Sequence, residues 1–175
     1  MIKLRKLELK DVPFMLEWIQ DPEISNLFQF DARSQTEEKM ESFIRGSWVE
    51  KQTMHFAVVD DYDEYLGTIS LKNIDNIKLD GEYAISLRKK FHGKGIADEA
   101  TRAILEYAFN MLGLNRIYLN VLSNNYRAVG FYEKFGFVYE RETRKYMLNI
   151  GKYQNLRWYA LMREEYQLRQ CLVEK

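Results

Sequence analysis

Between residues 83 and 111 the spacing of apolar side chains changes period, and this change constrains the fold more than any other feature of the chain. Tyr83-Ala84-Ile85-Ser86-Leu87 is β-rich and alternating, the character of a buried strand. Downstream, Ile96, Ala100, Ala103, Ile104, Tyr107, Ala108 and Met111 recur at helical spacing. The switch falls on the loop Arg88-Lys89-Lys90-Phe91-His92-Gly93-Lys94-Gly95. A strand that feeds a helix this directly leaves the first helical N–H groups without intrahelical partners, and the aligned peptide dipoles put partial positive charge in the same place. An anion is favoured there. Gly93 and Gly95 allow φ > 0 and a close approach of the main chain to a phosphate, and Lys94 adds a mobile positive charge. The loop predicts a cradle for a phosphorylated ligand. Gly-Lys-Gly is also a common surface turn, which is the competing reading. The P-loop pattern GxxxxGK[ST] is absent, and GxGxxG fails at Asp98, which argues against a dinucleotide fold.

A second motif follows that helix: Asn125-Tyr126-Arg127-Ala128-Val129-Gly130-Phe131-Tyr132-Glu133-Lys134-Phe135-Gly136-Phe137, preceded by the strand-like Arg116–Leu122. It resembles the second signature of the GNAT superfamily of acyl-CoA-dependent N-acetyltransferases, Asn-x-x-Ala followed by an aromatic Tyr and then Gly-Phe. The first stretch resembles that superfamily's pyrophosphate loop, Gln/Arg-x-x-Gly-x-Gly/Ala, with Gly95 and Ala97 at its small positions and His92 where Gln or Arg is usual. The resemblance covers nearly the whole chain. Two motifs in this order and spacing are more specific than either alone.

Composition sets the bounds around this. At 175 residues, 46% apolar and 14% aromatic, the chain is long enough to bury a real core, and a single domain over residues 1–175 is expected. Basic and acidic residues balance at 26 each, whereas a nucleic-acid binder carries a basic excess or stripe. No run of about eighteen apolar residues is present, and Met1-Ile2-Lys3-Leu4-Arg5-Lys6 lacks the continuous apolar stretch of a signal peptide. A cytoplasmic protein without a membrane partner is the expectation. One cysteine, Cys171, excludes an intrachain disulfide, and with two histidines it gives no plausible zinc set, so no metal is expected.

Taken in order, Ile2–Leu7 alternates as a half-buried strand, and Asp11 with Pro13 opens a helix whose apolar face is Phe14, Met15, Trp18 and Ile19. The aromatic segment 24–33, with Phe28, Phe30 and Asp31, has no period. Ser34-Gln35-Thr36-Glu37-Glu38 starts a second helix, with Glu37 or Glu38 available for a capping box and Met40, Phe43, Ile44 and Trp48 inward. Residues 55–59 and 65–71 form a hairpin around acidic 60–64, and a polar connection over 73–80 leads to the strand at Gly81-Glu82. Gly113 ends the long helix, and 138–148 and 156–162 close the sheet as a hairpin around 149–152. The tail 163–175 is polar, with a helix as one reading of it, and carries no motif. This order predicts an α+β fold: a mixed, mostly antiparallel sheet of about seven strands flanked by helices.

The resemblance implies more. In GNAT enzymes the strand before the pyrophosphate loop and the strand after the long helix splay apart, and the pantetheine arm of acetyl-CoA lies in the gap. By position, Ile85, Ser86 and Leu87 supply the strand edge, the Leu87 N–H polarises the thioester carbonyl, His92, Gly93, Lys94, Gly95, Ile96 and Ala97 hold the pyrophosphate, and Asn125 bonds the pantetheine. Tyr132 becomes the general acid for the departing thiolate, and Glu82, or water, the base for the amine. Bland alternatives stand beside two of these: Tyr132 as packing against Phe135 and Phe137, and Glu82 as an exposed strand start. The branch resembled includes ribosomal-protein amino-terminal, spermidine and nucleotide-amino-sugar acetyltransferases, which implies an amine acceptor. Glu17-Trp18-Ile19-Gln20-Asp21-Pro22 looks most like the last group. The family often forms dimers, so a homodimer is an expectation. A small-molecule amine such as an amino sugar or polyamine is the expected acceptor, a protein amino terminus is the alternative acceptor, and a CoA-binding sensor or interaction module on the same scaffold is the alternative from another functional class.

Overall fold

A computed structural model describes residues 1–25, 32–147 and 153–173. Phe28, Phe30 and Asp31, the hairpin turn 149–152 and the last two residues lie outside the described residues. Seven strands form one sheet in the order β1-β2-β3-β4-β5-β7-β6, with β1 Lys3–Lys6, β2 Met54–Val59, β3 Tyr65–Asp75, β4 Asp80–Leu87, β5 Arg116–Leu122, β6 Val138–Met147 and β7 Tyr153–Met162. Every neighbouring pair is antiparallel except β4 and β5. A parallel pair needs a crossover, and α4 (Ile96–Glu106) with its π-helical continuation Tyr107–Met111 supplies it. The expected α+β sheet is the one observed.

Both faces of the sheet's first half are covered. Ala57, Val58 and Val59 are consecutive and all buried, which a pleated strand achieves only between two apolar layers. On one face Ile69, Leu71, Tyr83, Ile117 and Leu119 pack with Ile104, Leu105 and Phe109 of the crossover and with Val129 and Tyr132 of α5 (Tyr126–Phe135). On the other, Ala57, Val59 and Tyr65 pack with Met15, Trp18 and Ile19 of α1 (Val12–Gln20) and with Met40 and Ile44 of α3 (Glu37–Ser47).

Several local expectations are corrected. Phe43 and Trp48 are not inward but 37% and 44% exposed; α3 buries only the stripe of Met40 and Ile44, and Trp48 sits at its end with Nε1 donating to the Leu7 carbonyl at 2.8 Å. Thr36 caps α3 by accepting from the Lys39 N–H at 3.3 Å, so the third helical position is a lysine and no Glu closes a capping box. A short α2 (Pro22–Ser25) follows α1, and the tail forms α6 (Arg163–Val173). β3 runs on through Asp75 because Ile74, inside the polar stretch, is buried at 6% exposure.

Arg88, read as loop, is 5% exposed. Its guanidinium donates to both carboxylate oxygens of Glu17 at 3.1 and 2.6 Å and to the Tyr65 carbonyl at 2.9 Å, and it lies 4.6 Å from the Phe14 ring centre. The end of β4 is thereby tied to α1. Close approach of β3 to the same strand end rests on Gly67: a Cβ there would lie 2.3 Å from the Ser86 carbonyl oxygen and 2.8 Å from Leu87 Cα, both main chain. Gly67→Ala is expected to lower stability by about 3 kcal/mol, at or above the upper end for overpacking because backbone cannot yield as a side chain does. Urea unfolding checks this; an unchanged midpoint would contradict the packing described.

Candidate active site

β4 and β5 begin as neighbours and then part. Their register holds for Asp80↔Arg116, Gly81↔Ile117 and Glu82↔Tyr118. Beyond this β4 stays with β3 as far as Gly67↔Leu87, and β5 stays with β7 as far as Leu122↔Leu156. The expected splay is therefore present. The Arg88 N–H donates to the Leu66 carbonyl at 2.9 Å, and antiparallel ladders alternate, so the main-chain groups of Arg88, Ser86 and Ala84 face β3. Those of Leu87 and Ile85 face the gap. Ile85 and Leu87 thus turn donors toward β5, whereas Ser86 gives its main chain to the ladder.

A cavity of about 620 Å³ fills the gap. Glu82, Ile85, Ser86, Leu87, His92, Gly93, Gly95, Ala97, Asn125 and Tyr132 all line it, while Lys94 and Ile96 do not. The Lys94 ammonium instead lies 5.5 Å from the Phe91 ring centre. At the helix start Gly95 takes φ +78° and Gly93 φ +75°, a region that glycine enters freely. A Cβ on either would meet no atom within 4 Å, so the space beside both is open. Asp98 contributes one carboxylate to the cavity wall. Glu99 is turned away, accepting from the Ile2 N–H at 3.3 Å.

His92 bridges the two sides. One ring nitrogen, Nε2, is 2.9 Å from the Leu87 carbonyl and the other, Nδ1, is 2.9 Å from an Arg127 guanidinium nitrogen. A carbonyl only accepts and a guanidinium only donates, so this arrangement requires the neutral Nε2–H tautomer. Arg127, also in the cavity wall, was not singled out from the sequence; a cation in the first turn of the helix that Asn125 caps was the available signal. Asn125 caps α5, its side-chain oxygen accepting from the Ala128 N–H at 3.2 Å. Its amide nitrogen is the donor it can offer a ligand.

For Tyr132 the structure shows packing, with Phe131 rather than Phe135 beside Phe137 at ring-centre distances of 5.5 and 5.8 Å, and a place in the cavity wall. Burial pushes its phenol well above the usual tyrosine range, so the hydroxyl keeps its proton across physiological pH. Glu82 is 13% exposed in its side chain and held by three donors: Lys72 Nζ at 2.7 Å, Asn73 Nδ2 at 2.8 Å and Asn120 Nδ2 at 3.4 Å. It stands at the vertex of the gap, where the register ends. Among the described residues no group of three His, Cys, Asp or Glu side chains is arranged to hold a metal, and no helix is long and apolar enough to cross a membrane.

A parallel strand pair that opens beside a glycine loop at a helix start is the arrangement of an acyl-CoA-dependent acetyltransferase, and the chain belongs to that family: residues 2–138 match the acetyltransferase (GNAT) domain. It is 29% identical over 169 residues to an uncharacterized N-acetyltransferase of Bacillus licheniformis, covering 94% of both chains. It is 27% identical over 165 residues to a spermidine N(1)-acetyltransferase of Vibrio cholerae, covering 94% of this chain and 95% of that one. The crystal structure of spermidine N-acetyltransferase from Vibrio cholerae with CoA and spermine superposes with a TM-score of 0.87 at 26% identity, covering 95% of this chain and 98% of that chain.

Arg127→Ala removes the cation that His92 holds at the mouth of the gap. Acetyl-CoA affinity is expected to fall about tenfold, the scale of one charge-assisted hydrogen bond. Calorimetric titration measures it, and an unchanged affinity would exclude Arg127 from the phosphate site.

Proposed function

We propose that the chain transfers the acetyl group of acetyl-CoA to a primary amine of a small molecule by direct attack in a ternary complex. The parting of β4 from β5 carries this reading: it turns main-chain donors into a cavity that runs from the phosphate loop to a carboxylate. In this reading Gly93, Gly95, Ala97 and their neighbours hold the diphosphate, with Lys94 and Arg127 supplying positive charge around it. Asn125 and the edge of β4 hold the pantetheine by β-augmentation. Leu87 offers its N–H to the thioester oxygen. Ile85 turns its N–H into the same gap and lies two residues, about 6.6 Å, nearer Glu82, so it shares the role for an acyl group brought close to the vertex.

Nitrogen attack forms the C–N bond while oxygen takes up negative charge, and a main-chain N–H aimed at that oxygen bonds it more strongly than it bonds the ground-state carbonyl. Collapse breaks the C–S bond. Tyr132 donates toward the departing sulfur, and its raised pKa makes it a hydrogen-bonding partner that tightens as the thiolate develops. Glu82, directly or through water, takes the proton that the amine sheds.

The relatives named spermidine acetyltransferases support a polyamine acceptor, and the likeness of Glu17–Pro22 to acetyltransferases of nucleotide-linked amino sugars supports an amino sugar. The same reading places the enzyme in the cytoplasm, as one domain and as a homodimer, with neither nucleic acid nor membrane as partner.

Gly95→Asp sets a carboxylate against the phosphates and strains a left-handed position; acetyl-CoA binding is expected to be lost, and undiminished affinity in calorimetry would remove the loop from the site. Tyr132→Phe is expected to lower turnover roughly a hundredfold with cofactor affinity kept, the scale for losing a general acid. Thiol release across an amine panel reads this out. Full activity in the variant would take Tyr132 out of the mechanism, and no release with any amine in the wild type would favour a sensor.

A further inference from the structure

Lys72 of β3 and Glu82 of β4 face each other in register. The Tyr83 hydroxyl is 2.8 Å from Thr101 on α4, so the alternation of the strand sends its neighbour Glu82 to the opposite face of the sheet, the face that α1 and α3 cover. Lys72 and Glu82 both line the cavity, with side-chain exposures of 35% and 13% and 2.7 Å between Nζ and Oε1. Asn73 occupies the second carboxylate oxygen. The carboxylate that stands ready for a substrate ammonium is already neutralised by an ammonium belonging to the protein.

An acceptor with a second positive charge near its amine meets Lys72 as a like charge in a partly desolvated place, where the repulsion is several times stronger than in water. An acceptor with an anionic group near its amine meets no such conflict. Its ammonium goes to Glu82 and its anion to Lys72, replacing one ion pair by two. We propose that Lys72 sets the charge of the acceptor, selecting a small amine that bears an anionic group close to the amine nitrogen over a polyamine. This rests on the acetyl-transfer reading for the place where the acceptor sits, and it separates the two acceptor classes named above. Lys72 acts on binding and takes no part in bond making.

The test uses two probes of equal length whose far ends differ in charge, 4-aminobutyrate and 1,4-diaminobutane. Their dissociation constants are measured by NMR titration of the CoA-saturated protein. The wild type is expected to prefer 4-aminobutyrate. Lys72→Met should move the ratio of the two constants at least tenfold toward the diamine, and Lys72→Arg, which keeps the charge, should keep the wild-type preference. A ratio that is the same in Lys72→Met and wild type, a wild-type preference for the diamine, or no binding of either probe would overturn the proposal. Thiol release is recorded separately with the amine panel. A shifted ratio without release under any condition would defeat the transfer reading alone, and release with an unshifted ratio would defeat the Lys72 reading alone.

Discussion

The structure depends on a parallel pairing that lasts three residues and then stops. A β-strand edge inside a sheet carries N–H and C=O groups whose burial without partners costs free energy. β4 and β5 leave such groups facing each other across a gap because each strand keeps its outer neighbour: β3 holds β4 as far as Leu87, and β7 holds β5 as far as Leu122. The sheet cannot close this gap without breaking a ladder on one side. What remains is a slot with main-chain donors on one wall, and its chemistry follows from that.

Anchors on both faces hold the slot's upper end. Arg88, one residue past β4, is clamped to Glu17 of α1 and to the Tyr65 carbonyl, so the glycine loop leaves the strand at a fixed place. His92, four residues on, reaches back to the Leu87 carbonyl and across to Arg127. In the family pattern a Gln or Arg stands there. The imidazole takes up the gap-facing carbonyl of Leu87 and leaves its N–H directed into the slot. At the other end Lys72, Asn73 and Asn120 fix Glu82. The glycine loop and Glu82 therefore lie at opposite ends of one cavity, with Tyr132 bordering it from α5.

What could be read from the sequence was what repeats locally. The change of period after Leu87, the glycines at the helix start, the acidic turn between β2 and β3 and the order of strands and helices all follow from residues within a few positions of one another. The splay itself came from the family resemblance, since no local pattern marks where two parallel strands part. Contacts between distant residues stayed hidden: Arg88 and Glu17 are 71 positions apart and Arg127 and His92 are 35 apart. Lys72 against Glu82 needed the exact register of β3 on β4, because a slip of one residue would send the two side chains to opposite faces. Phe43 and Trp48 were misplaced because an apolar stripe shows which residues can be buried and not how wide a surface the partner offers.

Amide hydrogen exchange, resolved by NMR for Ile85 and Leu87 with and without acetyl-CoA, tests the central claim most directly. Main-chain donors that face the slot should become strongly protected when the cofactor binds, whereas Ser86, already committed to β3, should change little. Equal exchange of Ile85 and Leu87 in the two states, at saturating cofactor, would show that the edge of β4 is not where the thioester carrier is held.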